Sequence, residues 1–302
     1  NAQWAAMHSV GRLAPSESPL FRLGFIVYNN QMFSFQIIKW FWNLWDHLIL
    51  IILLNLLSLV LFGALFYLVP LLAQGAGPGA VIAVGSGLLF LTTTLQHAYA
   101  LISYGIAKSG YSNWKQSLRA AWQGPSLRAA LLFDILLFPV GVIYYVSWNF
   151  YSQKGGLLSL FALGLLFWLA ILILLSMGFY FPMLVREEFA FKAAWRKSFV
   201  VCLDNPFLAI GLALVALILL AASLFPALTL FFGPVGLALW YEVSLRILYY
   251  KYQYLEELAP EERQHGNGRR KKVEIPWRVL LREERERIGP RSLRNFIFPW
   301  KD

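Results

Sequence analysis

Residues 48–73 read LILIILLNLLSLVLFGALFYLVPLLA. Only Asn55, Ser58, Gly63 and Pro70 interrupt a run of aliphatic and aromatic side chains. A helix crosses the hydrocarbon core of a bilayer in about 20 apolar residues, so this stretch is long enough to span one with residues to spare. The charge record extends the same reading outward. From His47 to Ala107 there is no Asp, Glu, Lys or Arg, and Gly155 to Val185 and Asn205 to Tyr241 are equally free of charge. Across 302 residues the chain is 59% hydrophobic and 14% charged, against about a quarter charged in a soluble domain. These figures exclude a soluble globular protein. The expected architecture is an all-α polytopic transmembrane bundle with interfacial amphipathic helices and a polar C-terminal tail.

About six spans fit this pattern, at roughly 48–73, 79–107, 129–148, 157–185, 207–232 and 234–254. The second is interrupted by Thr92, Thr93, Thr94, Gln96 and His97, the third carries Asp134 and Pro139, and the sixth holds Glu242 and Arg246. The chain then divides into an N-terminal cytoplasmic or interfacial segment (1–46), the bundle (47–254) and a charged tail (255–302). Orientation follows from the cations in the short connections. Lys108, Lys115, Arg119, Arg128, Arg186, Lys192, Arg196 and Lys197 fall on one side, and the loops on the other offer only Lys154. Both termini are therefore expected on the cytoplasmic side of a bacterial inner membrane. The opening residues show no short apolar core with a small-residue cleavage site, so targeting is expected to rest on the first span. Most tryptophans fall at span ends, where an amphipathic ring prefers to sit. Trp168 is the mid-span exception and reads as packing.

An internal echo runs through the chain. Pro70 precedes Gly77-Pro78-Gly79 and Pro226 precedes Gly233-Pro234-Val235-Gly236 at the same offset, which suggests a parallel repeat. Arg119-Ala-Ala-Trp122 and Lys192-Ala-Ala-Trp195 form a second echo, each a cation and an indole suited to an in-plane interfacial helix among lipid headgroups. Proline, glycine and tryptophan also recur at membrane boundaries without any repeat. Asn55-Leu56-Leu57 behind an aromatic segment, the Gly-Pro turn and the basic aromatic segment Trp114 to Trp122 together resemble the YesL-like family of bacterial polytopic membrane proteins of unknown function. The likeness covers roughly residues 40–255 and implies architecture and an accessory role beside transporters, with no catalytic residues to carry over.

The candidate buried polar groups, and the candidates for an ion path, are Glu242, Arg246, His97 and Asp134. Glu242 and Arg246 stand four apart with the acid first, which permits a pair along one helix face. Such a pair is either structural or an ion or proton site. Ser86, Thr93, His97 and Tyr104 share one helical face, which should turn away from lipid. A neutral His97 can serve as a helix contact or as a ligand to a haem or chlorin metal. His47 lies roughly 15 Å away in depth, which makes the two a poor bis-histidine site. The single cysteine, Cys202, leaves no multi-cysteine metal or iron-sulfur site. No HExxH, phosphate loop or nucleophile elbow is present. No catalytic residue, metal or cofactor is expected.

Phe33 to Trp45 reads as an interfacial helix. In the tail, Arg269-Arg270-Lys271-Lys272 suits anionic headgroups or ordinary positive-inside bias, and the segment around Arg282–Arg287 reads as a mostly solvated helix. Phe296, Phe298 and Trp300 suggest docking on the bundle or a partner. Nucleic acid is an unattractive explanation for the net charge of +10, because the cations are spread along membrane-proximal loops and intermixed with Glu. The expected partners are membrane lipids and other membrane subunits. An accessory or scaffolding subunit, a small transporter or channel, and a cofactor- or pigment-binding subunit are the functional classes left open, in that order.

Overall fold

The computed structural model describes residues 19–75, 77–257, 275–289 and 291. Every regular element among them is a helix, as the composition requires. In chain order these are α1 (Pro19–Asp46), α2 (Leu48–Gly75), α3 (Pro78–Ser109), α4 (Trp114–Ala121), α5 (Gly124–Lys154), α6 (Leu157–Arg186), α7 (Phe191–Asp204), α8 (Pro206–Ala222), α9 (Pro226–Phe232), α10 (Pro234–Glu257), α11 (Trp277–Leu280) and α12 (Arg282–Ile288). Proline and glycine punctuate them. Pro residues open α3, α5, α8 and α9 at first-turn positions, where no intrahelical N–H is lost. Gly155 and Gly156, at φ 64° and 89°, make the left-handed turn between α5 and α6.

Among the described residues four helical stretches are long and apolar enough to cross a membrane: Leu48–Leu71, Gly124–Lys154, Leu157–Arg186 and Ala227–Glu257. The pair α7 and α8, bent by 104° at Asn205-Pro206, makes a fifth if it counts as one span. The expectation of about six is reduced accordingly, and prolines account for much of the difference. The expected fifth span at 207–232 is not one rod. Pro226 starts a new helix after a turn at Ser223–Phe225, because its missing N–H and its ring cannot continue α8. The 17 residues of α8 reach only about 26 Å. The second expected span lies on α3, whose middle carries the polar belt Thr92–His97.

The chain forms two compact units, one drawn from Asn1–Trp45 and Val243–Asp302, the other from Asp46–Glu242. Among the described residues, 19–45 thus share a unit with 243–257 and 275–289. Within the larger unit α2 packs on α3 and α9, α3 on α4, α5 and α6, α5 on α6, and α6 on α7 and α8. Burial is concentrated at one end. It runs from Ile51 to Ser58 on α2, from Thr93 to Ala107 on α3, from Ser126 to Phe133 on α5 and, apart from Ser159, from Ser176 to Leu184 on α6. Ala98, Ala100, Ala129, Ala130 and Ala194 are all fully buried there, and small residues of this kind let helices approach closely. Gly178 is the extreme case: a Cβ at that position would stand 2.2 Å from the Tyr241 ring. This packed end also carries the basic segments 108–128 and 186–197. Towards the other end α5 and α6 are largely uncovered, with Phe138, Ile143, Tyr145, Phe161, Leu165 and Trp168 all exposed. Trp168 is therefore not packed inside the chain, contrary to expectation.

The proline echo is not matched in local structure. Pro70 lies inside α2, whereas Pro226 opens α9. Gly77-Pro78 and Gly233-Pro234 do each lead into a helix, α3 and α10. The second echo falls on comparable pieces: α4 and α7 are short basic helices that follow a long helix and meet a proline at the start of the next.

Candidate functional site

The buried charged groups of the larger unit and His97 lie at its packed end. Glu242 on α10 is almost wholly buried, and Arg186 at the last turn of α6 meets it as a fork. Its Nη1 donates to Oε2 at 2.9 Å and Nη2 to Oε1 at 2.5 Å, while Nη1 also donates to the Pro182 carbonyl at 3.0 Å. The guanidinium sits 5.2 Å from the centre of the Tyr104 ring. A bidentate pair satisfies both charges in a place where neither alone is tolerable. The expected Glu242–Arg246 pair is therefore not the one formed. Arg246 belongs to the smaller unit, where its Nε donates to Glu284 Oε1 at 2.8 Å and its Nη2 to the Tyr250 hydroxyl at 3.0 Å.

His97 is completely buried on α3. Its Nδ1 is 2.9 Å from Ser126 Oγ on α5, and the rings of Phe181 and Phe189 flank it at 5.9 and 5.8 Å. Phe189 and its neighbour Glu188 hold φ of 65° and 50°, a left-handed turn that costs a non-glycine residue about 1–3 kcal/mol. That turn is what brings the Phe189 ring onto the imidazole. One helical turn earlier, Thr93 donates to Asp134 Oδ1 at 2.7 Å, so the two hydrogen bonds are rungs between antiparallel α3 and α5. Asp134 is thus hydrogen-bonded through one of its two oxygens. Tyr180 on α6 stacks on Phe133 at 4.9 Å. Among the described residues, His97 Nε2, Asp134 Oδ2 and Tyr180 Oη are buried and have no hydrogen-bond partner. Of the expected polar stripe, Thr93 and His97 face inward and Tyr104 is half-buried, but Ser86 is exposed.

Other polar contacts escaped the sequence. Asn55 on α2 donates to the Leu230 carbonyl at 3.0 Å and accepts the Val235 N–H at 3.0 Å. It thereby bridges the break between α9 and α10, at Gly233, where a Cβ would come within 2.5 Å of the Thr229 carbonyl oxygen. In the smaller unit Glu284, 3% exposed, binds Lys39 of α1, Arg246 and the Tyr250 hydroxyl. This corrects the picture of a solvated tail helix, although Arg282 and Glu286 do form the exposed i, i+4 pair at 3.7 Å. Burial drives the Lys39 ammonium down to about 8 against the opposing pull of Glu284. Burial would raise the Glu284 carboxyl, but Lys39, Tyr250 and Arg246 together hold it below the usual glutamate value. Lys39 carried a signal, as a lone cation in an aromatic helix. Nothing distinguished Glu284 from Glu283 or Glu286.

The expected interfacial residues divide. Arg119, Trp122 and Lys192 are exposed. Trp195 instead turns inward among Phe133, Tyr180, Phe191 and Phe199. The block Arg269-Arg270-Lys271-Lys272 and the aromatic end Phe296, Phe298 and Trp300 lie outside the described residues. Among the described residues no group of three or more His, Cys, Asp or Glu is placed to hold a metal ion. Comparison with family models, curated proteins and solved structures finds no match to this chain.

Proposed function

We propose that the protein is a non-catalytic accessory or scaffolding subunit of a larger membrane complex, and that the uncovered ends of α5 and α6 receive a partner's helices. One observation carries this. The most apolar stretch of α6 is only 6% buried, and Trp168, about midway along it, is 68% exposed. An indole prefers the headgroup region to the middle of the hydrocarbon, so an exposed tryptophan at mid-span is better matched to a protein neighbour than to lipid tails. The flanking Phe161 and Phe167 supply the large rigid contact area that helix interfaces use. An accessory role is also what the YesL-like resemblance implies. If α3 and the bent α7–α8 pair cross the bilayer as well, six crossings result. The basic segments then face the cytoplasm of a bacterial cell, with both termini on that side.

The test is purification of the full chain from native membranes in mild detergent, followed by native mass measurement. A stoichiometric complex is expected for the wild type and its loss for Trp168→Ala, with helix content by circular dichroism unchanged. A monodisperse chain that carries only lipid in both forms would overturn the proposal. A second reading, a proton or ion path, is favoured by the unpartnered buried atoms of His97, Asp134 and Tyr180 on α3, α5 and α6, since polar groups left unpaired at membrane depth often mark such paths. It requires liposome flux that Asp134→Asn abolishes.

A further inference from the structure

A groove of about 610 Å³ opens between α5 and the start of α7. That volume is within the range of small-molecule sites. Its walls are apolar, formed by Leu132, Ala190, Phe191 and Ala193, and its rim carries Lys192 and Arg196. The charges around it are unequal in standing. Arg186 is neutralised by Glu242, and Lys197, also on the rim, by Glu187. Lys192 and Arg196 are exposed, one turn apart on the same face of α7, and have no acidic partner among the described residues; Glu188, exposed in the preceding turn, offsets only one of them. Leu132 lies eight residues into α5, about 12 Å from the helix start, so the groove meets α5 at a point set back from the charged loop. Cations at the mouth and hydrocarbon surface behind them match one amphiphile in a bilayer.

We propose that this groove binds a single anionic phospholipid, its phosphate between Lys192 and Arg196 and the upper part of one acyl chain against Leu132, Phe191 and Ala193. Paired cations at the cytoplasmic surface of a membrane recognise anionic headgroups, and arginine adds a planar donor fork that suits phosphate. A general basic surface would attract such lipids without retaining one. The groove adds shape. The inference rests on membrane embedding and not on the partner proposed above, so either can fail alone.

The full chain is reconstituted in nanodiscs of phosphatidylcholine with a minority of phosphatidylglycerol, moved to mild detergent, and the lipid retained per chain is counted by native mass spectrometry. One phosphatidylglycerol is expected on the wild type. Lys192→Gln/Arg196→Gln should weaken its retention about thirtyfold, from roughly tenfold per 1.4 kcal/mol and about 1 kcal/mol per cation. Lys115→Gln/Arg119→Gln removes the same charge from α4 and should retain the lipid. Ala193→Trp, which fills the groove with charge untouched, should lose it, and inorganic phosphate should not compete. Retention by the Lys192/Arg196 variant at the wild-type level, equal loss from the α4 variant, or displacement by inorganic phosphate would each overturn the proposal. Ala193→Trp keeps the test decisive if the charge variant fails to fold.

Discussion

Removing the carboxylate of Glu242 takes from the Arg186 guanidinium, whose side chain is 9% exposed, the carboxylate it forks to at the packed end of the larger unit. Two unit charges about 4 Å apart attract by roughly 4 kcal/mol at an effective dielectric constant of 20, and breaking a buried pair by deleting one partner costs about 3–5 kcal/mol. Glu242→Gln keeps the size and one acceptor, and the Tyr104 face remains beside the guanidinium, with about 0.5–2 kcal/mol of cation–π attraction to offer. The expected loss is therefore about 3 kcal/mol. Replacing both residues, as Arg186→Met/Glu242→Leu, removes the desolvation burden together with the attraction, and should cost less than Glu242→Gln alone. The assay is unfolding of the full chain in mixed micelles by titration with dodecyl sulfate, followed by circular dichroism. A double variant that loses as much as Glu242→Gln or more would refute the coupling, and a loss under about 1 kcal/mol for Glu242→Gln would show that Arg186 finds water or another partner.

Three further outcomes follow from particular contacts. Asn55→Leu strands the Val235 N–H and the Leu230 carbonyl at the α9–α10 break, and should cost about 1–3 kcal/mol per stranded group in the same titration. Gly178→Ala forces a Cβ into the Tyr241 ring and should lose about 1–3 kcal/mol by overpacking, with partial recovery in Gly178→Ala/Tyr241→Leu. The smaller unit should respond to pH at both ends. Glu284 sits below its ordinary 4.5, so its contribution is present above 4.5 and is lost as pH falls through its lower folded value. Lys39 is lowered from 10.5 to about 8; between those values the unfolded chain binds more protons, so on this group alone stability rises with pH. Thermal melts across pH should show the acid limb in the wild type and not in Glu284→Gln.

Membrane class, helical content and the location of the most apolar stretches were legible in the residues themselves, because a bilayer imposes long charge-free runs that survive any arrangement of the helices. Helix starts at Gly77-Pro78 and Gly233-Pro234 were legible locally, because a first-turn proline loses no hydrogen bond. Span continuity was not: whether Pro206 and Pro226 bend, break or merely enter a helix depends on what lies beside them. The pairing of charges was equally out of reach. Glu242 stood four residues from Arg246, a spacing that invites a pair, yet its partner Arg186 is 56 residues away in sequence, and Arg246 binds Glu284, 38 residues distant. At low dielectric the better fork geometry outcompetes the nearer neighbour, and only the crossing of α6 and α10 makes that fork available. Exposure was decided the same way. In sequence Trp168 reads as packing and Trp195 as interfacial, but α6 leaves the first uncovered and α7 turns the second into an aromatic cluster. Composition determined which solvent this chain lives in. Tertiary packing determined which of its polar and aromatic groups remain available to anything else, since burial is a property of neighbours and not of residues.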